Sequence, residues 1–236
     1  EASDRSFTVT GTDLRGRYSV QDLDLEVTLL GAPAGTELSL GAQTATVGDD
    51  RRAELRVPLG PELGRLSPAK ALSYDLKLAP EGELSLKFPD GKSVSGKLSA
   101  VEIRGVKAAF EGVAQGRPLD LGEDPEGHAT YFEAYFGSMP ENCIVGEAST
   151  LAHLDRVAIK KELPPRPADK TCKAQSGGKG ELSMEDWEVT VYDRTTGKEI
   201  GKQTFAAKKK CPLTWLDDKA ISRPETGPIE RWLGTL

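Results

Sequence analysis

A chain of 236 residues is long enough for one large domain or two modest ones, and either can bury a core. Its residues are 29% charged, of both signs, with a net charge of -6; this excludes disorder along the whole length and argues against nucleic acid as the main partner, which would require a basic face. No apolar run approaches the ~18 residues of a transmembrane helix, and no charged start followed by an apolar stretch marks a signal peptide, so Glu1 is compatible with the start of a trimmed chain.

From Phe7 to Ile103 the dominant signal has period two. Short strands are expected at Phe7–Thr10, Glu37–Leu40, Gln43–Val47 and Ser93–Leu98. Longer alternation comes from Leu23, Leu25, Val27 and Leu29 against Asp22, Asp24, Glu26 and Thr28, which buries one strand face and leaves the other in water. The same pattern recurs at Ala53/Leu55/Val57/Leu59, at Leu72/Tyr74/Leu76/Leu78 and at Leu84/Leu86/Phe88. Turn residues separate the runs at Gly31–Gly35, Gly48–Asp50, Pro80–Gly82 and Pro89–Gly91, where glycine and proline supply the dihedrals that reverse a chain. Short strands at roughly 8–12-residue spacing are the pattern of an antiparallel β-sandwich.

Within this region the stretch Thr28-Leu-Leu-Gly-Ala-Pro-Ala-Gly-Thr-Glu-Leu-Ser-Leu40, with Thr44–Thr46 and Ala53–Leu59 after it, resembles the immunoglobulin-like sandwich modules of bacterial surface and periplasmic proteins. The likeness covers residues 28–59. It implies an extracytoplasmic spacer or binding module and carries over no active site.

The Gly-, Pro- and Asp-rich stretch from Gln115 to Gly127 divides the chain, and every cysteine, histidine and tryptophan lies beyond it. The expected organisation is an immunoglobulin-like sandwich over residues 1–112, a linker over 113–127 and a smaller β-rich α+β domain over 128–236. The segment Glu126–Gly137 fits a helix or a two-sided strand equally, because Tyr131/Tyr135 and Phe132/Phe136 satisfy both spacings. Val157 and Ile159 mark a strand ahead of Pro164-Pro-Arg-Pro167, a loop that cannot pair as a central strand. Trp187, Val189 and Val191 alternate with polar residues up to Asp193-Arg-Thr-Thr-Gly-Lys198, a turn that hands the chain to Glu199–Phe205 as a hairpin. Ile229, Trp232 and Leu233, after Pro228 and before Gly234, spell a short terminal helix with one apolar face. The fold class is therefore mainly β, with that one helix at the end.

Three cysteines allow at most one internal disulfide. Cys172 precedes the hairpin and Cys211 follows it, so both reach its open end; that pairing requires an oxidising compartment, and three reduced thiols in a cytoplasmic protein is the alternative. Cys143 leads into apolar residues and reads as a small core residue. A zinc site from Cys143, His153, Cys172 and Cys211 lacks the close ligand pairs that such sites use. The acidic clusters Asp22/Asp24/Glu26, Asp49/Asp50, Glu123–Glu126, Glu185/Asp186 and Asp217/Asp218 match no calcium loop and read as solvated faces and turns. Ser176-Gly-Gly-Lys-Gly180 lacks the rest of a phosphate loop, and no nucleophile elbow occurs. No catalytic residue, metal ligand or cofactor is assigned. The basic runs Lys160-Lys161 and Lys208-Lys-Lys210 read as charges that protect strand edges.

The candidate binding residues are aromatic: Tyr131, Phe132, Tyr135 and Phe136, joined by Trp215. Such side chains carry much of the binding energy in recognition surfaces, and packing between domains is their other reading. The expected function is a non-enzymatic binding or scaffolding protein of a bacterial envelope, periplasmic or at the cell surface and compatible with a lipid anchor ahead of Glu1. Its partner would be another envelope protein or a surface glycan. A hydrolase with a carboxylate site between the domains and a purely structural spacer stay open as alternatives.

Overall fold

The computed structural model describes residues 5–9, 12–21, 23–72, 76–78, 82–102, 106–125, 127–133, 143–173, 178–212 and 219–236. The chain forms two compact units: Glu1–Phe110 with Asp120–Asp124 and Thr150–Ala152, and Glu111–Leu119 with Pro125–Ser149 and His153–Leu236.

In the first unit the strands are β1 (Arg5–Thr8), β2 (Arg15–Gln21), β3 (Asp24–Leu30), β4 (Glu37–Leu40), β5 (Gln43–Thr46), β6 (Arg52–Pro58), β7 (Lys77–Leu78), β8 (Leu84–Lys87), β9 (Ser93–Gly96) and β10 (Val101–Glu102). They build two four-stranded antiparallel sheets, ordered β1-β2-β3-β6 and β5-β4-β8-β9, and the small pair β10-β7. Alternation translates directly into burial. Leu25, Val27 and Leu29 of β3, Ala53, Leu55 and Val57 of β6, Leu38 and Leu40 of β4, and Leu84 and Leu86 of β8 all point inward, while their neighbours face water.

Four features differ from the sequence expectation. β2 is an extra strand whose apolar slot at position 16 is a glycine, with the Phe7 ring lying where a side chain would be. The strand expected over Leu72–Leu78 shrinks to β7, because Ser67-Pro68 opens a helical turn, α2 (Pro68–Ala71), with proline at its start and good helix formers behind it; residues 73–75 lie outside the described set. Ahead of it, α1 (Gly60–Gly64) lies against the segment around Leu121 so closely that a Cβ at Gly64 would stand 2.0 Å from the Leu121 carbonyl oxygen. Farther along, α3 (Val106–Val113) buries Val106, Phe110 and Val113, an i, i+4, i+7 stripe.

The second unit holds β11 (Ala129–Phe132), β12 (Ile144–Val145), β13 (Leu154–Glu162), β14 (Arg166–Lys173), β15 (Lys179–Met184), β16 (Trp187–Asp193), β17 (Glu199–Phe205) and β18 (Lys219–Ser222), with α4 (Thr226–Leu233) at the end. A five-stranded sheet runs β12-β11-β13-β16-β17, with β11 and β13 parallel and the other pairs antiparallel. A three-stranded sheet runs β14-β15-β18, with β15 and β18 parallel. The ambiguous aromatic segment is thus a strand at Ala129–Phe132, and all four of its residues are buried. The proline-rich stretch is only partly loop: Arg166 and Pro167 begin β14, which tolerates a proline because it is the edge of its sheet.

The β16–β17 hairpin forms as expected. Asp193 Oδ1 accepts bonds from the Thr195 hydroxyl at 2.8 Å, the Thr196 amide at 2.8 Å and the Thr196 hydroxyl at 2.9 Å, and Gly197 takes φ +67°. Helix α4 buries Ile229 and Leu233 in a cluster with Phe132, Ala158, Trp187, Val189, Val191 and Phe205, and Trp232 packs beside it. At its C-terminal end Arg156, 4% exposed, donates Nη1 to the Leu233 carbonyl at 3.2 Å, placing a cation where the helix dipole is negative.

Candidate functional site

Tyr131 and Phe132 are neighbours on β11 and so face opposite sides of the sheet. Phe132, 2% exposed, enters the cluster under α4. Tyr131, 4% exposed, donates its hydroxyl to Glu133 Oε2 at 3.1 Å; burial first, and then the nearby Glu133 carboxylate, push its ionisation far above the usual phenol range. The Phe132 ring is packed among residues of its own unit. Tyr135, Phe136 and Trp215, the other aromatic candidates, lie outside the described residues.

Cys172 and Cys211 are joined, with Cα atoms 5.6 Å apart. Cys172 is 1% exposed and packs with Ala168, Leu182 and Ala220, so the bond anchors the segment before β18 to the inner face of β14. Two of the four ligands of the zinc constellation are thereby consumed, and among the described residues no group of three or more His, Cys, Asp or Glu side chains could hold a metal ion. Cys143 lies outside the disulfide and is buried.

Each histidine has a polar neighbour among the described residues. His128 Nδ1 lies 3.4 Å from Asp155 Oδ2 with its side chain 87% exposed, and His153 Nδ1 lies 3.0 Å from the Ser149 hydroxyl. Among the described residues no carboxylate hydrogen-bonds His153, so the Ser149 contact lacks the third, orienting group of a nucleophilic triad.

Three of the acidic clusters have partners among the described residues, while Asp22, Glu126, Asp217 and Asp218 lie outside them. Asp24 and Glu26 flank Arg56 across β3 and β6, at 3.4 and 2.6 Å. Asp50 Oδ1 accepts the Arg52 amide at 3.2 Å. Glu185, 6% exposed, accepts Trp187 Nε1 at 3.3 Å and Arg223 Nε at 2.8 Å. Asp186 takes Arg166 Nη2 on both oxygens at 3.1 Å and the Ala207 amide at 2.8 Å. The Glu185/Asp186 pair therefore ties the turn between β15 and β16 to β14 and to the segments after β17 and β18.

Two features have no counterpart in the sequence reading. Arg194, fully buried, donates Nε to the Leu154 carbonyl at 2.5 Å and Nη1 to the Leu119 carbonyl at 2.8 Å, and its own carbonyl accepts the Leu119 amide at 2.9 Å. It is a positioning residue for two distant backbone segments, and an arginine in a turn carries no sequence signal for that role. The second feature is electrostatic. Lys173 and Lys179 stand directly opposite each other across β14 and β15, Lys170 Nζ reaches the Lys209 carbonyl at 3.4 Å, and the disulfide joins Cys172, next to Lys173 in the chain, to Cys211, next to Lys210. The Lys208–Lys210 run is visible in the sequence, but its neighbours are set by strand register and the disulfide. On the first unit a shallow concavity of about 260 Å³ opens on the outer face of β2, β3 and β6, where Arg17 and Arg52 mix with Glu26, Ser19 and Thr28.

Compared with protein-family models, with curated proteins and with solved structures, the chain finds no match.

Proposed function

We propose that this chain is a non-enzymatic binding or scaffolding module of a bacterial envelope, working in the periplasm or at the cell surface. The observation that supports this reading most is the Cys172–Cys211 disulfide, since such a structural bond, between a buried and a partly buried cysteine, persists in oxidising compartments and is rare in the cytosol. Two antiparallel sheets in the first unit agree with a spacer of the immunoglobulin-like kind. In the second unit Tyr135, Phe136 and Trp215 are the candidate gripping residues for an envelope protein or surface glycan, while Tyr131 and Phe132 anchor the strand from which that segment leaves. The carboxylates available to a hydrolase are less favourable: Glu185 and Asp186 already have arginine and backbone partners.

Thiol labelling under denaturing conditions, on protein taken from its own cells, tests the compartment. The expected result is one labelled cysteine, Cys143; three labelled cysteines would remove the extracytoplasmic reading. On the same preparation, Tyr135→Ala and Trp215→Ala are expected to weaken partner capture about tenfold or more with melting temperature nearly unchanged. Loss of folding in both would return these residues to the core.

A further inference from the structure

The lysines of the second unit are distributed unevenly. The sequence from Lys170 to Gly180 and that from Ala206 to Pro212 together contain six lysines and no Asp or Glu, in a chain whose net charge is -6. Register and the disulfide bring these two stretches together at one end of the β14-β15-β18 sheet. Lys173 and Lys179 form a like-charge pair directly across two strands, an arrangement that destabilises a sheet and therefore needs a compensating use. Lys170, Lys173, Lys179, Lys209 and Lys210 are all exposed. Lys208 is bonded to Glu225 at 2.5 Å, and that contact holds the Glu225 carboxyl below its ordinary range; Lys219 stands opposite Glu181. Lys208 and Lys219 have acids beside them within the fold, and the other five are exposed near one end of the sheet, with Asp169 and Glu181 as the bordering acids.

The geometry points to a cationic docking surface, built around the Cys172–Cys211 bond from Lys170, Lys173, Lys179, Lys209 and Lys210, whose occupant is the anionic phospholipid surface of a bilayer. Charge complementarity carries the argument, and the residue type narrows it. Lysine presents a compact ammonium on a mobile stem, suited to a diffuse array of lipid phosphates, whereas recognition of one fixed carboxylate or phosphate favours the planar fork of arginine. Clustered basic residues near a membrane act additively and within a Debye length. The disulfide contributes by holding Lys209 and Lys210 against β14, so the five ammonium groups form one patch rather than two mobile runs. This surface uses none of the aromatic residues of the proposed binding function, so either can fail alone.

Co-sedimentation of the full chain with vesicles tests it. Binding is expected to vesicles of phosphatidylcholine with about one-third phosphatidylglycerol at low salt, with no binding to phosphatidylcholine alone and release at roughly 0.5 M NaCl. The double variant Lys173→Gln/Lys210→Gln should partition roughly tenfold or more weakly, with a melting temperature equal to or slightly above that of the unaltered protein because the Lys173–Lys179 repulsion is relieved. Lys77→Gln/Lys87→Gln, on exposed strand positions of the first unit, should bind as the unaltered protein does. Absence of binding to the anionic vesicles, insensitivity to salt, or an equal loss in both double variants would overturn the proposal. Release of bound protein by inorganic polyphosphate at equal phosphate concentration would reassign the patch to a soluble polyanion.

Discussion

Asp193 shows how one side chain holds a turn. Burial acts to raise its pKa, but the hydrogen bonds from Thr195 and Thr196 outweigh it and hold the carboxyl below its ordinary range. A depressed native pKa means that the contribution to stability is complete above the unfolded value of about 3.9 and is lost as pH falls from there toward the native value. Asp193→Ala is expected to cost about 1–2 kcal/mol at pH 7, with the gap to the unaltered protein narrowing near pH 3; urea titrations at the two pH values check it. Arg194 and Arg156 work at the same scale, each spending a guanidinium on backbone carbonyls that the local strand pattern leaves unmet.

Among elements, the disulfide bears most on stability. Cys172 and Cys211 are 39 residues apart, and closing a loop of that length stabilises the fold by about 4 kcal/mol in the chain-entropy view. Reduction, or the double Cys→Ser replacement, is expected to lower stability by an amount of that order, read by tryptophan fluorescence in urea. The proline at the start of β14 belongs to this scale too: it stays in a strand because that strand has one open edge.

At the scale of the molecule, chemistry is divided unevenly between two units of similar size. Trp187 and Trp232 both belong to the second unit, as does the disulfide, while the first unit has strands, short helices and neither kind of residue. After reduction, the transition followed by tryptophan fluorescence should therefore fall below the transition followed by far-ultraviolet circular dichroism, which averages the backbone of both units; scans with and without reductant on one sample make the comparison. Charge is divided as well. The first unit sets Arg52 beside Glu54 and Arg56 beside Asp24 and Glu26, whereas the second gathers lysines at one end of a sheet.

Local pattern alone determined the mainly β class, most strands of the first unit, the β16–β17 hairpin and the terminal helix, and it offered Cys172 with Cys211 as a pairing while leaving three reduced thiols as the alternative. Each of the determined elements depends on residues near one another along the chain, so period and turn chemistry suffice. Tertiary structure decided what period cannot express. It turned Leu72 into a helix end, because Ser67-Pro68 starts a helical turn that outweighs the alternation beyond it. It chose the strand form of Tyr131 and Phe132 and buried both, since β11 lies between two other strands. It also brought five lysines from two separate stretches to one end of a sheet, because pairing register and a disulfide determine which distant residues meet.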